Sequence, residues 1–263
     1  MADNKNTSKY VKRDYRLLHT ASDLCYFNIK VKESDLAIGV DTESYSDSLV
    51  AFCEKELFKV RGDIESYISL HPEFKSSLVP SELLPGAPAI GVEMAKAARQ
   101  AGVGPMAAVA GAVAEYIGKK LNNYTREVII ENGGDIYINS SRDRKIAVFA
   151  GNSSFSNKIA IQVKPRECPL SICTSSGTVG HSLSFGKADA AVIKGRPAAL
   201  ADAVATMAGN LVKSKADLIK AIDYAKAIPG VSGILVIKDD NMAAWGDIEI
   251  TPVARRNTNE SSQ

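Results

Sequence analysis

Hydrophobic and polar residues alternate near the start of the chain and predict β-strands. Two strands are expected between Tyr10 and Glu33, and the second contains the alternating segment CYFNIKVKE, whose period of two is typical of a half-buried strand. Leu36, Ile38 and Val40 continue the alternation and predict a third strand. This part of the chain is therefore expected to contribute to a sheet.

Apolar residues then recur at mostly helical spacing. After Ser46 they form the stripe of a first helix, and the position of Cys53 on that stripe favours a core thiol. The stripe consists of Leu49, Phe52, Cys53, Leu57, Val60, Ile64 and Ile68. Pro88 is well placed to open a second helix over 89–100. The segment AGVGP interrupts it, and a third helix is expected over 105–121.

Strands and helices interleave in the second half of the chain. Residues 126–140 predict a strand, a tight turn and a strand, because Asn132, Gly133 and Gly134 favour the positive φ angles of a hairpin turn. Pro197 marks the start of a further helix. Other strands are expected over 145–150, 158–163, 233–239 and 245–250, and another helix over 216–228.

The order of these elements shows no strict βαβ repeat, which favours an α+β fold. One domain is expected over residues 10–254. A flexible N-terminus (1–9) precedes it, and a disordered tail (255–263) follows it.

Composition narrows the class of protein. Of the 263 residues, 45% are hydrophobic and 24% are charged, as in an ordinary globular protein. The net charge is +2 with scattered basic residues, which does not predict nucleic-acid binding. No signal peptide is evident at the N-terminus, and the apolar stretch from Val103 to Ala114 is too short to span a membrane. A cytoplasmic location without membrane contact is therefore expected.

The four cysteines show neither a C-x-x-C pair nor zinc-like spacing with the histidines. They are expected to be free thiols in a reducing compartment. The strongest concentration of chemically active groups lies in residues 171–210, which combine hydroxyls, glycines, two aspartates, one histidine and Cys173. This composition predicts a ligand-binding site.

Asp202 and Thr206 are four residues apart in the predicted helix after Pro197. This spacing places both oxygens on one helix face, where they suit Mg²⁺. The alternative is a structural role for both residues. An Asp carboxylate is favourable in the early turns of a helix, and a Thr hydroxyl can bond back to its own backbone. On spacing alone the alternative is favoured.

Cys173 begins a segment rich in hydrogen-bond donors, which lower a thiol pKa and favour a nucleophile or persulfide carrier. The donors are Thr174, Ser175, Ser176, Gly177 and Thr178. The alternative for Cys173 is a small buried residue at a strand end. His181 suits proton transfer, or else bonds to the backbone of its own loop. Asp189 lies in an alternating segment and is consistent with a solvent-facing position.

Two glycine motifs allow a ligand to approach the backbone. Gly102 and Gly104 would leave the first amides of the 105–121 helix open to an anion, although close packing is the favoured reading because short glycine motifs are weak signals.

The Asn132-Gly133-Gly134 turn is flanked by Glu131 and Asp135. It suits a hydroxyl-rich or nucleotide ligand, with a plain hairpin turn as the alternative.

Four motifs together resemble one family, the uncharacterised prokaryotic branch of the ApbE-like superfamily, whose better-known members are FAD:protein FMN transferases. The resemblance extends from about Tyr10 to Ile250 and implies mixed sheets with packed helices. The motifs are GVGPMAAVAGA (102–112), ENGGDIYI (131–138), CTSSGTVGHSLSFGKADA (173–190) and LADAVATMAGN (200–210).

The resemblance implies specific ligand contacts. An A-D-A-x-A-T motif supplies metal ligands in the transferases, which makes Asp202 and Thr206 candidate Mg²⁺ ligands. Gly133-Gly134 resembles their N-x-G-G turn beside the flavin nucleotide. The segment from Thr174 to Gly177 resembles their T-S-G segment with one residue inserted. FAD and FMN are therefore the candidate cofactors.

Departures from the transferase pattern change the expected chemistry. The lysine of G-G-x-x-K-G is absent from residues 104–109, and His181 lies too close to the T-S-G-like segment to replace the family's downstream histidine. Flavinylation of a protein threonine is therefore not expected. The branch carries its own cysteine in C-T-S-S-G-T and is associated with sulfur assimilation in anaerobes. That association implies that Cys173 handles sulfide or persulfide on the way to homocysteine.

Three hypotheses follow. The first is a sulfur-handling enzyme or carrier with Cys173 as nucleophile and His181 as proton shuttle. The second is a Mg²⁺-dependent flavin-nucleotide transferase or hydrolase that uses Asp202 and Thr206. The third is a non-catalytic flavin or nucleotide binder. The expected partners are a small-molecule ligand and, for the first hypothesis, a sulfur-transfer protein, and the formation of a homo-oligomer stays open.

Overall fold

Two antiparallel sheets carry the fold in this computed structural model, which describes residues 21–177 and 185–253. The strands are β1 (Leu24–Val31), β2 (Ser34–Asp41), β3 (Val128–Asn132), β4 (Asp135–Asn139), β5 (Arg144–Ala147), β6 (Ile159–Val163), β7 (Leu170–Ser175), β8 (Ala190–Gly195), β9 (Val231–Lys238), β10 (Asn241–Gly246) and β11 (Glu249–Pro252). In the described residues, the larger sheet has the order β1-β2-β3-β4-β7-β8-β9-β10 and the smaller has the order β11-β6-β5.

The helices lie against one face of the larger sheet. They are α1 (Asp47–Leu70), α2 (Glu73–Ser76), α3 (Ala89–Ala101), α4 (Val109–Leu121), α5 (Ala198–Leu211) and α6 (Leu218–Lys226), with short 3₁₀ turns at 105–108, 165–167 and 215–217. The smaller sheet packs on the opposite face, so the larger sheet is buried between two cores. The predicted α+β class is confirmed.

Alternation along β7 assigns each side chain to one of the two cores. Leu170 and Ile172 pack toward the smaller sheet, whereas Cys173 packs toward the helices. Successive side chains of a strand point to opposite faces, so the direction of Cys173 follows from its position in the strand. Its side chain therefore meets α5, which packs against both β7 and β8.

Most predicted elements of the first half are confirmed. β1 and β2 form a hairpin, whereas the strand expected from Tyr10 onward begins outside the described residues. The Oγ of Ser46 accepts a hydrogen bond from the amide of Leu49 and caps α1. The third predicted helix begins as the 3₁₀ turn at 105–108 before α4. The hairpin turn has φ angles of 67° at Gly133 and 104° at Gly134, the two positive values of a type I′ turn.

Two predictions in the second half are wrong. The single strand expected over 245–250 is divided, because Trp245 pairs with Ile234 in the larger sheet and Ile250 pairs with Ile161 in the smaller one. Gly246 allows the change of direction with a φ of 80°.

The solvent-facing position considered for Asp189 is also wrong. Asp189 is buried, and its carboxylate accepts a hydrogen bond from the amide of Asp239 and lies near Lys238.

Small residues on α4 allow close approach to its neighbours. A Cβ atom at Gly118 would lie 2.2 Å from the ring of Tyr137 on β4, and one at Gly111 would lie 2.5 Å from the carbonyl oxygen of Ala198 on α5. Within the described residues, no single helix is long and apolar enough to cross a membrane. Only α3 together with residues 105–121 meets that test, and the two are bent by 102°.

Candidate functional site

The β3–β4 turn, the end of β7 and the helices α4 and α5 meet around three side chains. Asp135 is the first residue of β4, and its Oδ1 accepts a hydrogen bond from the amide of Thr174 at 3.2 Å. Asp135 and the thiol of Cys173 are close enough for each to affect the pKa of the other. The Sγ of Cys173 also lies 3.6 Å from the carbonyl oxygen of Ala198, the first residue of α5. The structure thus brings residues of two separate motifs together beside the first residue of α5.

Asp202 joins this group from the second turn of α5. Its Oδ2 accepts a hydrogen bond from the amide of Gly111 at 2.9 Å, near the start of α4. The first amides of a helix have no partner within the helix, and in the described part of the chain α4 has no capping side chain from its own N-terminal segment. Asp202 therefore caps α4, a role that neither reading of the Asp202–Thr206 spacing predicted.

The two carboxyl groups influence each other strongly. Burial, and then the charge of Asp202, raise the pKa of Asp135 well above its ordinary value. Burial raises the pKa of Asp202 to about 7, although the amides of Gly111 and Ala110 act in the opposite direction. Among the described ion pairs, neither carboxylate has a Lys or Arg partner. Two buried carboxylates without a cation cannot both ionise at low cost.

The environment of Cys173 differs from the one predicted. The side chain is fully buried, and burial, followed by the charges of Asp135 and Asp202, raises the pKa of the thiol well above its ordinary value. The prediction that neighbouring donors lower this pKa is wrong, because carboxyl groups rather than donors surround the sulfur. The thiol is therefore a protonated donor at neutral pH.

The other predicted residues of the C-T-S-S-G-T segment have mixed surroundings. Thr174 and Ser176 are half-buried, Ser175 is buried and Gly177 is exposed. A Cβ atom at Gly177 would lie 2.2 Å from the carbonyl oxygen of Gly186, so close backbone packing accounts for this glycine. Thr178 and His181 lie outside the described residues.

Packing also accounts for Gly102 and Gly104. Gly102 ends α3 in the left-handed conformation with a φ of 75°, and a Cβ atom at Gly104 would lie 1.8 Å from the carbonyl oxygen of Ser77. The amide of Gly111 is occupied by Asp202. An anion site formed by Gly102, Gly104 and the first amides after them stays a prediction.

The double-glycine turn is the part of the site that a ligand can approach. Gly133 is exposed, and no atom lies within 4 Å of the position of a Cβ atom there. The carboxylate of Glu131 accepts a hydrogen bond from the amide of Gly134 at 2.7 Å, and the Nδ2 of Asn132 donates to the carbonyl oxygen of Ala110 at 3.0 Å. The turn is thereby anchored to α4 while its tip stays open. Its contact with a nucleotide remains a prediction.

The oxygen donors of Asp202 and Thr206 are of the kind that suits Mg²⁺, and metal binding there stays a prediction. Thr206 is half-buried and lies one turn after Asp202 on the same face of α5. In residues 21–177 and 185–253 no group of three or more His, Cys, Asp or Glu side chains could hold a metal. Mg²⁺ commonly takes one or two carboxylates and completes its shell with water and substrate phosphates.

Glu115 is a contributor that sequence reasoning missed. Its Oε2 accepts a hydrogen bond from the amide of Ala198 at 2.6 Å and thereby caps α5. One signal was available, since Glu115 is the only charged residue between Gln100 and Lys119. Its other oxygen pairs with Lys119 at 3.0 Å, and a carboxylate that is largely removed from water needs such partners.

Two cavities lie away from this group. The larger, about 550 Å³, is at the other end of β7 and β8 and is lined by Leu170, Lys194, Arg196, Ser232 and Asp247, among others. The smaller, about 230 Å³, lies between α1, α3 and α4. Neither is lined by a predicted site residue.

The fold is similar to that of solved structures. The structure is similar to the apo form of the flavinyl transferase ApbE of Pseudomonas stutzeri, with a TM-score of 0.51 and 12% identity over 85% of this chain and 94% of that one. It is similar to the flavin transferase ApbE of Vibrio cholerae, with a TM-score of 0.51 and 11% identity over 85% and 96% of the two chains. At these identities the likeness shows a shared fold.

The sequence comparisons identify the family. A family model described as "AbpE bacteria" matches residues 16–230, and the chain belongs to that family. It is 40% identical over 227 residues to a UPF0280 protein of Archaeoglobus fulgidus, covering 84% of this chain and 92% of the relative. It is 36% identical over 225 residues to a UPF0280 protein of Methanococcus aeolicus, covering 84% and 89%. The predicted resemblance is confirmed.

Proposed function

We propose that this protein binds a flavin nucleotide through a divalent cation and cleaves or transfers the FMN part of FAD. The observation that carries the proposal is the pair Asp135 and Asp202, two buried carboxyl groups that lie together without a described basic partner. A divalent cation would neutralise both groups. The fold, which is similar to that of flavin transferases, and the match to the "AbpE bacteria" family support flavin as the ligand.

Each residue has a defined task in this proposal. Asp202 and Thr206 provide oxygens for Mg²⁺ from one face of α5, and Asp135 adds negative charge from β4. Mg²⁺ would neutralise the charge that develops on the pyrophosphate during cleavage. The exposed turn at Gly133 leaves room for the nucleotide beside the backbone.

The reaction is a substitution at phosphorus. An oxygen of water or of an acceptor hydroxyl forms a bond to the FMN phosphorus, the phosphoanhydride bond of FAD breaks, and AMP leaves. With water as acceptor, FAD and water yield FMN and AMP. The proton of the attacking oxygen is released to solvent or to a base of the site.

Sulfur handling is not part of this proposal. A nucleophilic cysteine must ionise and be accessible, whereas Cys173 is fully buried and protonated. The geometry therefore favours the flavin hypothesis over the sulfur hypothesis.

The test combines binding and turnover on the purified full chain. FAD is added with Mg²⁺ or with EDTA, its binding is followed by fluorescence, and FMN and AMP are quantified by chromatography. We expect Mg²⁺-dependent FAD binding and equal amounts of FMN and AMP, both lost in Asp202→Ala. FAD binding without either product would instead support the non-catalytic binder. No FAD binding in the presence of Mg²⁺ would overturn the proposal.

A further inference from the structure

The larger of the two cavities lies on the other face of the larger sheet from Cys173. Lys194, which lines it, pairs across β7 and β8 with Ile172, and Ile172 packs toward the smaller sheet, whereas Cys173 packs toward the helices. The cavity is formed by the 3₁₀ turn at 165–167, the end of β8, the start of β9 and the segment between β10 and β11. Its volume of about 550 Å³ is within the range of about 300–1,000 Å³ that small-molecule sites occupy.

An irregularity of the sheet forms one wall of this cavity. Lys194 pairs with Gly233 and Gly195 pairs with Val231, so Ser232 is the extra residue of a β-bulge in β9. The Oγ of Ser232 donates to the carbonyl oxygen of Lys194 at 3.0 Å and fixes the bulge to β8. Bulges commonly lie beside functional sites, where they redirect side chains. The wall is therefore a built feature of the fold.

Lys194 brings a buried cation to the cavity. Only 3% of its side chain is exposed, and its Nζ donates to the Oε1 of Glu167 at 2.6 Å and to the carbonyl oxygen of Asp247 at 2.9 Å. These are its two acceptors among the described residues, and because an ammonium group has three N–H donors, one remains for a ligand. The Oε2 of Glu167 accepts the amide hydrogen of Lys164 at 2.7 Å, so both oxygens of this carboxylate already have partners.

Two arginine side chains line the cavity and have no acidic partner among the described ion pairs. Arg166 belongs to the 3₁₀ turn and Arg196 follows β8, and both residues are exposed. One Nη of Arg196 donates to the carbonyl oxygen of Glu167 at 2.7 Å, which holds this guanidinium beside the turn that carries Arg166. Asp247 adds one exposed carboxylate. Since Lys194 and Glu167 pair with each other, two positive charges remain against one negative charge, and the cavity attracts anions.

The donors of the cavity match a phosphate group better than a carboxylate. A guanidinium binds the oxygens of either group in a bidentate manner. A carboxylate offers two oxygens and one charge, whereas a phosphate monoester offers three terminal oxygens and a charge of about −1.5 to −2 at neutral pH. Two guanidinium groups and the remaining N–H of Lys194 therefore suit the phosphate. The carboxylate of Asp247 can accept hydrogen bonds from hydroxyl or amino groups on the rest of the ligand.

We propose that this cavity is a second ligand site, which binds the phosphate group of a small phosphorylated molecule through Arg166, Lys194 and Arg196. It shares no residue with the proposed flavin site, so the two proposals can fail separately.

The experiment measures the binding of inorganic phosphate and pyrophosphate to the purified full chain by isothermal titration calorimetry at neutral pH. Divalent cations are first removed with a chelating resin, so that neither anion can bind through a cation at Asp202. Arg166→Gln and Arg196→Gln each remove the charge of an exposed residue, and thermal unfolding shows whether they are folded. We expect both anions to bind to wild type and the Kd to rise about tenfold or more in each variant, because each loses hydrogen bonds between charged groups.

Arg99→Gln is the matched control. Arg99 is also an exposed arginine, but it lies on α3 and pairs with Glu82, so its replacement changes the net charge of the chain by the same amount without touching the cavity. The Kd for both anions should stay at the wild-type value. Asp202→Ala should also bind both anions like wild type, because it alters only the proposed flavin site. Succinate serves as the carboxylate probe and should bind more weakly than phosphate.

Four results would overturn the inference. The first is wild-type protein that binds neither phosphate nor pyrophosphate at about 1 mM, and the second is an unchanged Kd in both folded arginine variants. The third is tighter binding of succinate than of phosphate, which would contradict the ligand class. The fourth is loss of anion binding in Asp202→Ala, which would assign the anion to the other site. The first three leave the proposed flavin site untouched, since that site is tested with FAD and Mg²⁺.

Discussion

The carboxylate of Asp202 in α5 accepts a hydrogen bond from the amide of Gly111 near the start of α4, at 2.9 Å. In return, Glu115 of α4 accepts one from the amide of Ala198 at the start of α5, at 2.6 Å. Each helix thus supplies the capping carboxylate of the other. A carboxylate near a helix N-terminus also interacts favourably with the helix dipole. This reciprocal capping fixes α5, and with it Asp202 and Thr206, against α4.

Gly111→Ala should destabilise the fold. Its Cβ atom would lie 2.5 Å from the carbonyl oxygen of Ala198 and 2.9 Å from the Cβ of Asp202, so the two helices must separate. Overpacking of this kind typically costs about 1–3 kcal/mol, measured here as the free energy of unfolding in urea.

The control for this substitution is Gly62→Ala in α1. No atom lies within 4 Å of a Cβ atom at Gly62, and alanine is favoured over glycine inside a helix by about 0.5–1 kcal/mol. Gly62→Ala should therefore stabilise the protein. Equal effects of the two substitutions would contradict the close contact between α4 and α5.

Glu115→Ala should leave the first amide of α5 without its partner. Loss of a capping side chain typically costs about 0.5–2 kcal/mol, and Glu115→Gln should cost less because its amide oxygen can still accept the hydrogen bond. Chemical denaturation measures both. Glu82→Ala is the control, since Glu82 is exposed and paired with Arg99, and exposed ion pairs contribute little. The cap would be refuted by equal stabilities of the Glu115→Ala and Glu82→Ala proteins.

The free energy of unfolding of the metal-free protein should decrease as pH rises from the unfolded to the folded pKa of Asp202. Burial raises the pKa of Asp202 from 3.8 to about 7, and burial and the neighbouring charge raise the pKa of Asp135 as well. Between the unfolded and folded pKa values the folded state binds more protons, so the free energy of unfolding decreases with pH. This destabilisation is complete above the folded pKa.

Asp202→Asn isolates this effect, because its amide oxygen can still cap α4. Between pH 5 and 7, wild-type protein in EDTA should lose roughly 2–3 kcal/mol relative to Asp202→Asn, as measured by denaturant titration. Glu82→Gln, which changes an exposed carboxylate, should follow the wild type. Parallel pH profiles for wild type and Asp202→Asn would show that Asp202 does not titrate in this range.

Alkylation of the native protein should discriminate among the cysteines. Cys25 and Cys168 are half-buried, whereas Cys53 and Cys173 are fully buried. Reaction requires an accessible thiolate, so iodoacetamide should modify Cys173 at least about tenfold more slowly than Cys25. Mass spectrometry of timed samples measures the rates, and samples in denaturant show that all sites can react. Rapid labelling of native Cys173 would revive the sulfur hypothesis.

Local sequence patterns predicted much of the fold, because strands, helix starts and tight turns depend on residues that are close together in the chain. The alternation around Leu36 and Ile38 specifies a strand, and Ser46 marks the start of α1 by accepting a backbone hydrogen bond only three residues away. Asn132, Gly133 and Gly134 meet the backbone angles of a type I′ turn. The strand over 245–250 was predicted wrongly because its two halves pair with strands of different sheets, which alternation cannot show.

The candidate site was predicted less completely. The motifs identified Asp135, Cys173 and Asp202, but not the contacts among them. The amide of Thr174 is 39 residues from Asp135 along the chain, the amide of Gly111 is 91 residues from Asp202, and the amide of Ala198 is 83 residues from Glu115. Spacing within a motif carries no information on such pairs.

By itself, the sequence determined the α+β elements, the family and the placement of Asp202 and Thr206 on one helix face, since each depends on residues close together in the chain or on a shared pattern. Only the tertiary structure decided that Cys173 is buried and protonated, that Asp202 caps α4, and that Asp135 lies beside both. The reason is physical: a pKa depends on burial and neighbouring charge, and both arise from segments that meet only in the folded protein.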